Sequence, residues 1–162
     1  MDATQQLELV GKLLLAAFCG GFVGWQRDRA RYVAGLRTMA LVAVGSLLFT
    51  AINQTYGQDR VTANIVTGIG FLGAGIIFRD VGTVRGITTA ATVWAVAAIG
   101  VAIGVELYLV ALVATALVFI ILQMRPFTEY ISGRRSELPL PGALRRNQNA
   151  DEEDQGTDRT QD

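Results

Sequence analysis

The stretch TGIGFLGAG, residues 67–75, decides how this chain is read. Its core, Gly68-Ile69-Gly70-Phe71-Leu72-Gly73, matches the GxGxxG spacing of a dinucleotide-binding loop. Such a loop has a strand before it, an amphipathic helix after it, and an acid about 20 residues further on for the ribose. Here no alternating strand precedes the glycines, and Ile76-Ile77-Phe78 follows them. They sit in the middle of an apolar run bounded by Arg60 and Arg79. A phosphate buried in lipid is very costly, so the stretch reads as the small-residue middle of a membrane helix.

The rest of the chain supports that reading. Of its 162 residues 51% are hydrophobic, and the mean hydropathy is +0.39, both high for a soluble domain. The single cysteine, Cys19, excludes an internal disulfide, and the lack of histidine excludes imidazole metal sites and histidine-based triads. No catalytic residue, metal ligand or cofactor is expected, and no nucleic-acid partner.

A membrane-crossing helix needs roughly 20 apolar residues at ~1.5 Å each to cover a ~30 Å hydrocarbon core. Five segments are predicted as spans: 7–25, 36–55, 61–78, 88–105 and 107–124. Across 88–124 the only charged residue is Glu106, and one helix of that length would overshoot the bilayer, so a hairpin is placed at Gly104-Val105-Glu106. The first segment resembles a secretory signal, but Arg27, Arg29 and Arg31 right after it argue for a retained span. Within it Glu8 and Lys12 stand four apart, a pairing distance on a helix. The fold class is an all-α integral membrane protein, a five-helix bundle.

Arginine placement sets orientation, because cytoplasmic loops are enriched in Lys and Arg. Arg27, Arg29, Arg31 and Arg37, then Arg79 and Arg85, then Arg125, Arg134 and Arg135 fall on one side of five spans. The N-terminus is therefore expected outside and the C-terminus in the cytoplasm. Residues 125–162 form a polar, acid-rich tail, expected to be disordered from about 138.

Lipid is as apolar as leucine, so membrane helices associate by close packing over small residues. Gly68, Gly70, Gly73, Ala74 and Gly75 give the third span a broad small-residue surface, and Gly20/Gly24 and Gly100/Gly104 repeat the spacing elsewhere. The third span is expected at the centre of the bundle. Two polar sets, AGLRT (34–38) and RDVGTVRGITTAAT (79–92), are expected to converge at the cytoplasmic face through Arg27, Arg37, Thr38, Arg79, Asp80, Arg85, Thr88 and Thr89. Thr88 or Thr89 is expected to cap the fourth helix. Asn64 and Thr67 are the polar residues closest to membrane depth in the third span.

The blocks GFVGWQRD, AGLRT, GIGFLGAGIIFRD and VRGITTAATVWAVAAIGVAIG, in this order, closely resemble the N-terminal membrane domain of the MgtC/SapB family over about residues 13–124. The resemblance marks Gly24, Arg27, Gly35, Leu36, Arg37, Thr38, Gly68, Gly70, Phe71, Leu72, Gly73, Gly75, Arg85, Gly86, Thr88, Thr89, Ala90, Ala91 and Trp94 as motif positions. The family usually has a glutamate where this chain has Gln26, and often a glutamine where it has Asn64. Some members carry a C-terminal ACT-like domain; this chain is expected to be the short form.

What the resemblance implies is a bacterial inner-membrane protein tied to growth at low magnesium and, in pathogens, to virulence. Members are often labelled as part of a magnesium-transport ATPase, but no phosphate-binding loop or aspartyl-phosphorylation motif is present here. For some members the family view is that they restrain the proton-driven ATP synthase, which needs helix surfaces rather than catalytic groups. Two function classes remain: a non-enzymatic regulator in the lipid bilayer, packing against itself or another membrane protein such as the ATP synthase, and a small ion transporter or channel subunit lined by Asn64, Thr67 and the arginine-threonine cluster.

Overall fold

A computed structural model of the chain describes residues 2–56, 60–80 and 83–124. The chain divides into a unit Met1–Gln123 and a unit Met124–Asp162; the predicted disordered tail lies outside the described residues. In the first unit the elements run α1 (Ala3–Arg29), α2 (Leu36–Tyr56), α3 (Arg60–Ile76), β1 (Phe78–Asp80), β2 (Thr83–Arg85), α4 (Ile87–Gly104) and α5 (Tyr108–Gln123). Each apolar segment of the sequence thus becomes a helix. Three of them, α1, α4 and the 36–54 portion of α2, are long and apolar enough to cross a membrane. The helices α3 and α5, of 17 and 16 residues, are about 24–26 Å long at 1.5 Å per residue.

Two features depart from the expected all-helical path. The third helix stops at Ile76, two residues before the predicted end, and the chain turns into a short antiparallel ribbon with Phe78 opposite Arg85, Arg79 opposite Val84 and Asp80 opposite Thr83. The ribbon delivers the chain to Gly86, whose φ of 93° is left-handed. A side chain at Gly86 would collide with the Ile76 carbonyl, so both the dihedral and the space demand glycine there. The expected threonine cap of α4 is also replaced: Gly86 is the N-cap, without a side-chain hydrogen bond, and Thr88 and Thr89 lie inside the helix.

The core is built on α2. Gly20 and Gly24 of α1 press against its first turns: a Cβ on Gly20 would come 2.5 Å from the Met39 carbonyl oxygen, and one on Gly24 the same distance from the Leu36 Cα. From the other side Gly100 of α4 meets the Ala43 carbonyl, and Gly104 meets the Thr50 side chain at 2.8 Å. Met39, Ala43 and Leu47 are fully buried as a result, together with Val96, Ile99 and Ile103 of α4 and Ala16, Cys19 and Val23 of α1. Threonines enter this core by bonding their own helix. Thr50 donates to the Ser46 carbonyl at 2.8 Å and Thr115 to the Ala111 carbonyl at 2.7 Å.

The third helix is not central. It touches the rest of the chain along Thr62, Ile65, Ile69, Gly73 and Ile76, its only residues of partial or full burial among those described. Gly73 meets the Ala90 Cβ at 3.6 Å, and Asn53 of α2 donates to the Thr62 hydroxyl at 3.2 Å. Beyond these contacts α3 is open: a Cβ on Gly68, Gly70 or Gly75 would meet nothing within 4 Å. The central position belongs to α4, which is buried along its length from Thr89 to Gly104.

Overpacking a tight interface costs about 1–3 kcal/mol or more. Gly100→Leu is therefore expected to lower the thermal midpoint of the detergent-purified protein clearly. Gly11→Leu, at an exposed position with open space around it, is expected to leave the midpoint unchanged or raise it slightly, since leucine is the better helix former.

Candidate functional site

The charged residues separate to the two ends of the bundle. At one end Lys12 of α1 bonds Glu8 at 2.9 Å and Glu106 at 2.8 Å. Glu106 sits in the α4–α5 turn with a φ of 66°, so this ammonium ties α1 to the tight hairpin. The Glu8–Lys12 pair anticipated on helix spacing is present; its link to Glu106, 94 residues away, adds an interhelical contact.

At the other end the focus is Arg27, which is only 1% exposed. Its Nε donates to the Ala34 carbonyl at 3.3 Å, one terminal nitrogen donates to the Thr92 hydroxyl at 3.4 Å, and the other donates to the Thr89 hydroxyl. The guanidinium also lies over the Tyr32 ring, 4.2 Å from its centroid, a favourable cation–π placement. No carboxylate pairs with it among the described residues. A buried charge without a counter-ion is expensive unless its donors are met by acceptors, and here two hydroxyls and a carbonyl meet them. Asp28, the next residue, accepts from the Leu36 amide at 3.0 Å and so closes the start of α2. Arg27 and Asp28 together hold the α1–α2 connection against α4.

Of the residues expected to converge at this end, Arg27 and Thr89 meet. Arg37, Thr38, Arg85 and Thr88 are exposed, and the side chains of Arg79 and Asp80 lie outside the described residues. Thr92, Tyr32 and Asp28 complete the arrangement and were not singled out as site residues from sequence. The signal for Thr92 was the three-residue step from Thr89, which puts both hydroxyls on one face of α4. Gln26 donates to the Gln123 side chain at 2.9 Å and links α1 to α5.

Two surfaces of α3 remain. Ala63, Thr67, Gly70 and Ala74 are all exposed and lie on one stripe of the helix by their spacing. Phe71 beside them is 83% exposed. On the other flank α2 and α3 diverge around a groove of about 570 Å³, lined by Leu41, Gly45, Phe49, Gly68 and Leu72, with Thr38 and Asn64 at its ends. Asn64 therefore opens onto the groove, whereas Thr67 does not line it.

Long apolar helices joined by close glycine contacts, with a buried arginine at one end, define a helical membrane protein. The chain belongs to the MgtC family, whose profile matches residues 13–131. It is 50% identical over 117 residues to the Protein MgtC of Brucella abortus (strain 2308), covering 70% of this chain and 47% of that protein. To the Protein MgtC of Salmonella typhimurium (strain LT2) it is 46% identical over 109 residues, covering 65% of this chain and 47% of that one. The chain thus spans about half the length of the curated relatives it matches. No solved structure matches it.

Thr89→Val keeps the shape of the side chain and removes the hydroxyl facing Arg27. Losing a hydrogen bond to a charged group costs about 1.5–3 kcal/mol, so this variant is expected to melt well below the parent in detergent. Thr88→Val, on the exposed face, is expected to stay within about 0.5 kcal/mol.

Proposed function

We propose that the chain is a non-catalytic, multi-pass protein of the bacterial inner membrane that acts in adaptation to low magnesium through helix packing with a partner membrane protein. All five helices span the bilayer in this reading, with the N-terminus outside and the C-terminus in the cytoplasm. The sorting of charge supports the orientation: Arg27, Arg29, Arg31, Arg37 and Arg85 gather at the end where α2 and α4 begin, and Lys12 sits with Glu8 and Glu106 at the opposite end. The family's name supports the magnesium link, and a contribution to virulence in a pathogen is part of this reading.

The observation that carries the mode of action is the unfilled small-residue stripe of α3. In the same protein the close approaches at Gly20, Gly24, Gly100 and Gly104 are all satisfied internally, while Gly70 has nothing within 4 Å of a virtual Cβ. Ala63, Thr67, Gly70 and Ala74 offer a flat track on which a foreign helix can pack backbone to backbone. A helix of a partner such as the proton-driven ATP synthase, or of a second copy of the chain, is the occupant in this account. The ion-transport alternative gains nothing specific, because Asn64 lines the groove between α2 and α3 and Thr67, one turn along, does not.

The double variant Gly70→Leu, Ala74→Leu adds bulk only to the open face. It is expected to reach the membrane in parental amounts with an unchanged melting profile, yet to fail to restore low-magnesium growth to a strain lacking the chromosomal copy. Full restoration of growth would sink the proposal. Gly73 is unsuited to this test because it already meets Ala90 within the chain.

A further inference from the structure

The groove between α2 and α3 sets a different problem from the open stripe. Its lining is apolar along most of its length, and two of its residues, Gly45 on α2 and Gly68 on α3, have nothing within 4 Å of a virtual Cβ. Gly20, Gly24 and Gly100 bring backbones into contact; these two widen a gap. A gap with such walls at membrane depth fills with hydrocarbon, since neither water nor a polar ligand finds enough partners there.

The length of the groove suits an extended acyl chain. On α2 the lining runs from Thr38 to Phe49, about 16 Å of helix at 1.5 Å per residue. An extended polymethylene chain of a dozen or so carbons lies along a groove of that length. Charge then selects the headgroup. The groove ends at Thr38, next to Arg37, which is exposed and has no carboxylate within ion-pair distance among the described residues. The nearest acid in sequence, Asp28, is engaged with the Leu36 amide.

We propose that this groove is a lipid site: one acyl chain of an anionic phospholipid lies between α2 and α3, and the headgroup phosphate is held at Arg37 on the cytoplasmic leaflet. An arginine near an anionic lipid headgroup contributes about 1 kcal/mol, and the groove adds hydrocarbon contact that a free phosphate cannot make. The proposal rests on the membrane reading of α2 and α3. It is independent of the partner helix, which uses the other flank of α3.

The test is native mass spectrometry of the full chain, purified in detergent and stripped of lipid, after addition of phosphatidylglycerol or phosphatidylethanolamine with identical acyl chains. The parent is expected to retain one phosphatidylglycerol in preference to phosphatidylethanolamine by about fivefold, the equivalent of that single arginine. Arg37→Gln is expected to abolish the preference while both lipids still bind weakly. The pair Gly45→Leu, Gly68→Leu fills the groove from both walls and is expected to abolish retention of either lipid, with circular dichroism showing unchanged helix content. Glycerol phosphate in excess is expected not to displace the lipid. Equal retention of the two lipids by the parent, parental retention by the groove-filled variant, or displacement by glycerol phosphate would each overturn the proposal. Since Gly70 and Ala74 do not line the groove, their leucine variants are expected to retain phosphatidylglycerol as the parent does, so loss of the partner reading and loss of the lipid reading are separate results.

Discussion

Two carbonyls of α2, those of Met39 and Ala43, lie against the backbones of Gly20 and Gly100, and the rest of the fold depends on that pair of contacts. In lipid there is no hydrophobic gain from bringing helices together, so association comes from dispersion contacts between surfaces that fit. A side chain at either glycine would force the helices apart and withdraw those contacts along the whole interface. With α2 gripped from both sides, α4 is drawn into the centre, α5 packs on its outer side through Ala111 and Thr115, and α3 is left attached by a narrow line of residues.

The same geometry explains how an arginine can be buried at the end of α1. Once α1 and α4 are fixed against α2, the hydroxyls of Thr89 and Thr92 and the carbonyl of Ala34 stand where the guanidinium reaches them. Arg27 is then a crosslink among α1, α4 and the loop between α1 and α2, while Asp28 secures the first turn of α2. Its hydrogen bonds are exchanged for hydration, so their value lies in fixing one arrangement of the helices more than in net stability. The Lys12–Glu106 contact performs the corresponding task at the far end.

Much of this was legible in the sequence, and the failures have a physical cause. Helix number and position followed from the length of apolar runs, which depends on bilayer thickness and on nothing else in the fold. Which helix lies at the centre did not follow. Gly68, Gly70 and Gly75 look, residue by residue, like Gly20, Gly24, Gly100 and Gly104, and only the three-dimensional arrangement separates glycines that touch a neighbour from glycines that face open space. Thr89 and Arg27 were legible as members of one polar cluster at the arginine-rich end, but the direct bond between them was not, because it crosses 62 residues of sequence. The ribbon of β1 and β2 escaped notice because strands of three residues leave no periodic pattern to detect.

The account of function turns on the difference between the two sides of the bundle. Interfaces among α1, α2 and α4 are closed, whereas the stripe of Ala63, Thr67, Gly70 and Ala74 on α3 is exposed among the described residues. The most direct measurement is photo-crosslinking in living cells grown at low magnesium, with p-benzoylphenylalanine placed at Phe71 of α3 or at Leu109 of α5, both strongly exposed. The account predicts a discrete higher-mass polypeptide adduct from Phe71 and none from Leu109. Adducts of equal yield from both positions, or none from Phe71, would contradict it.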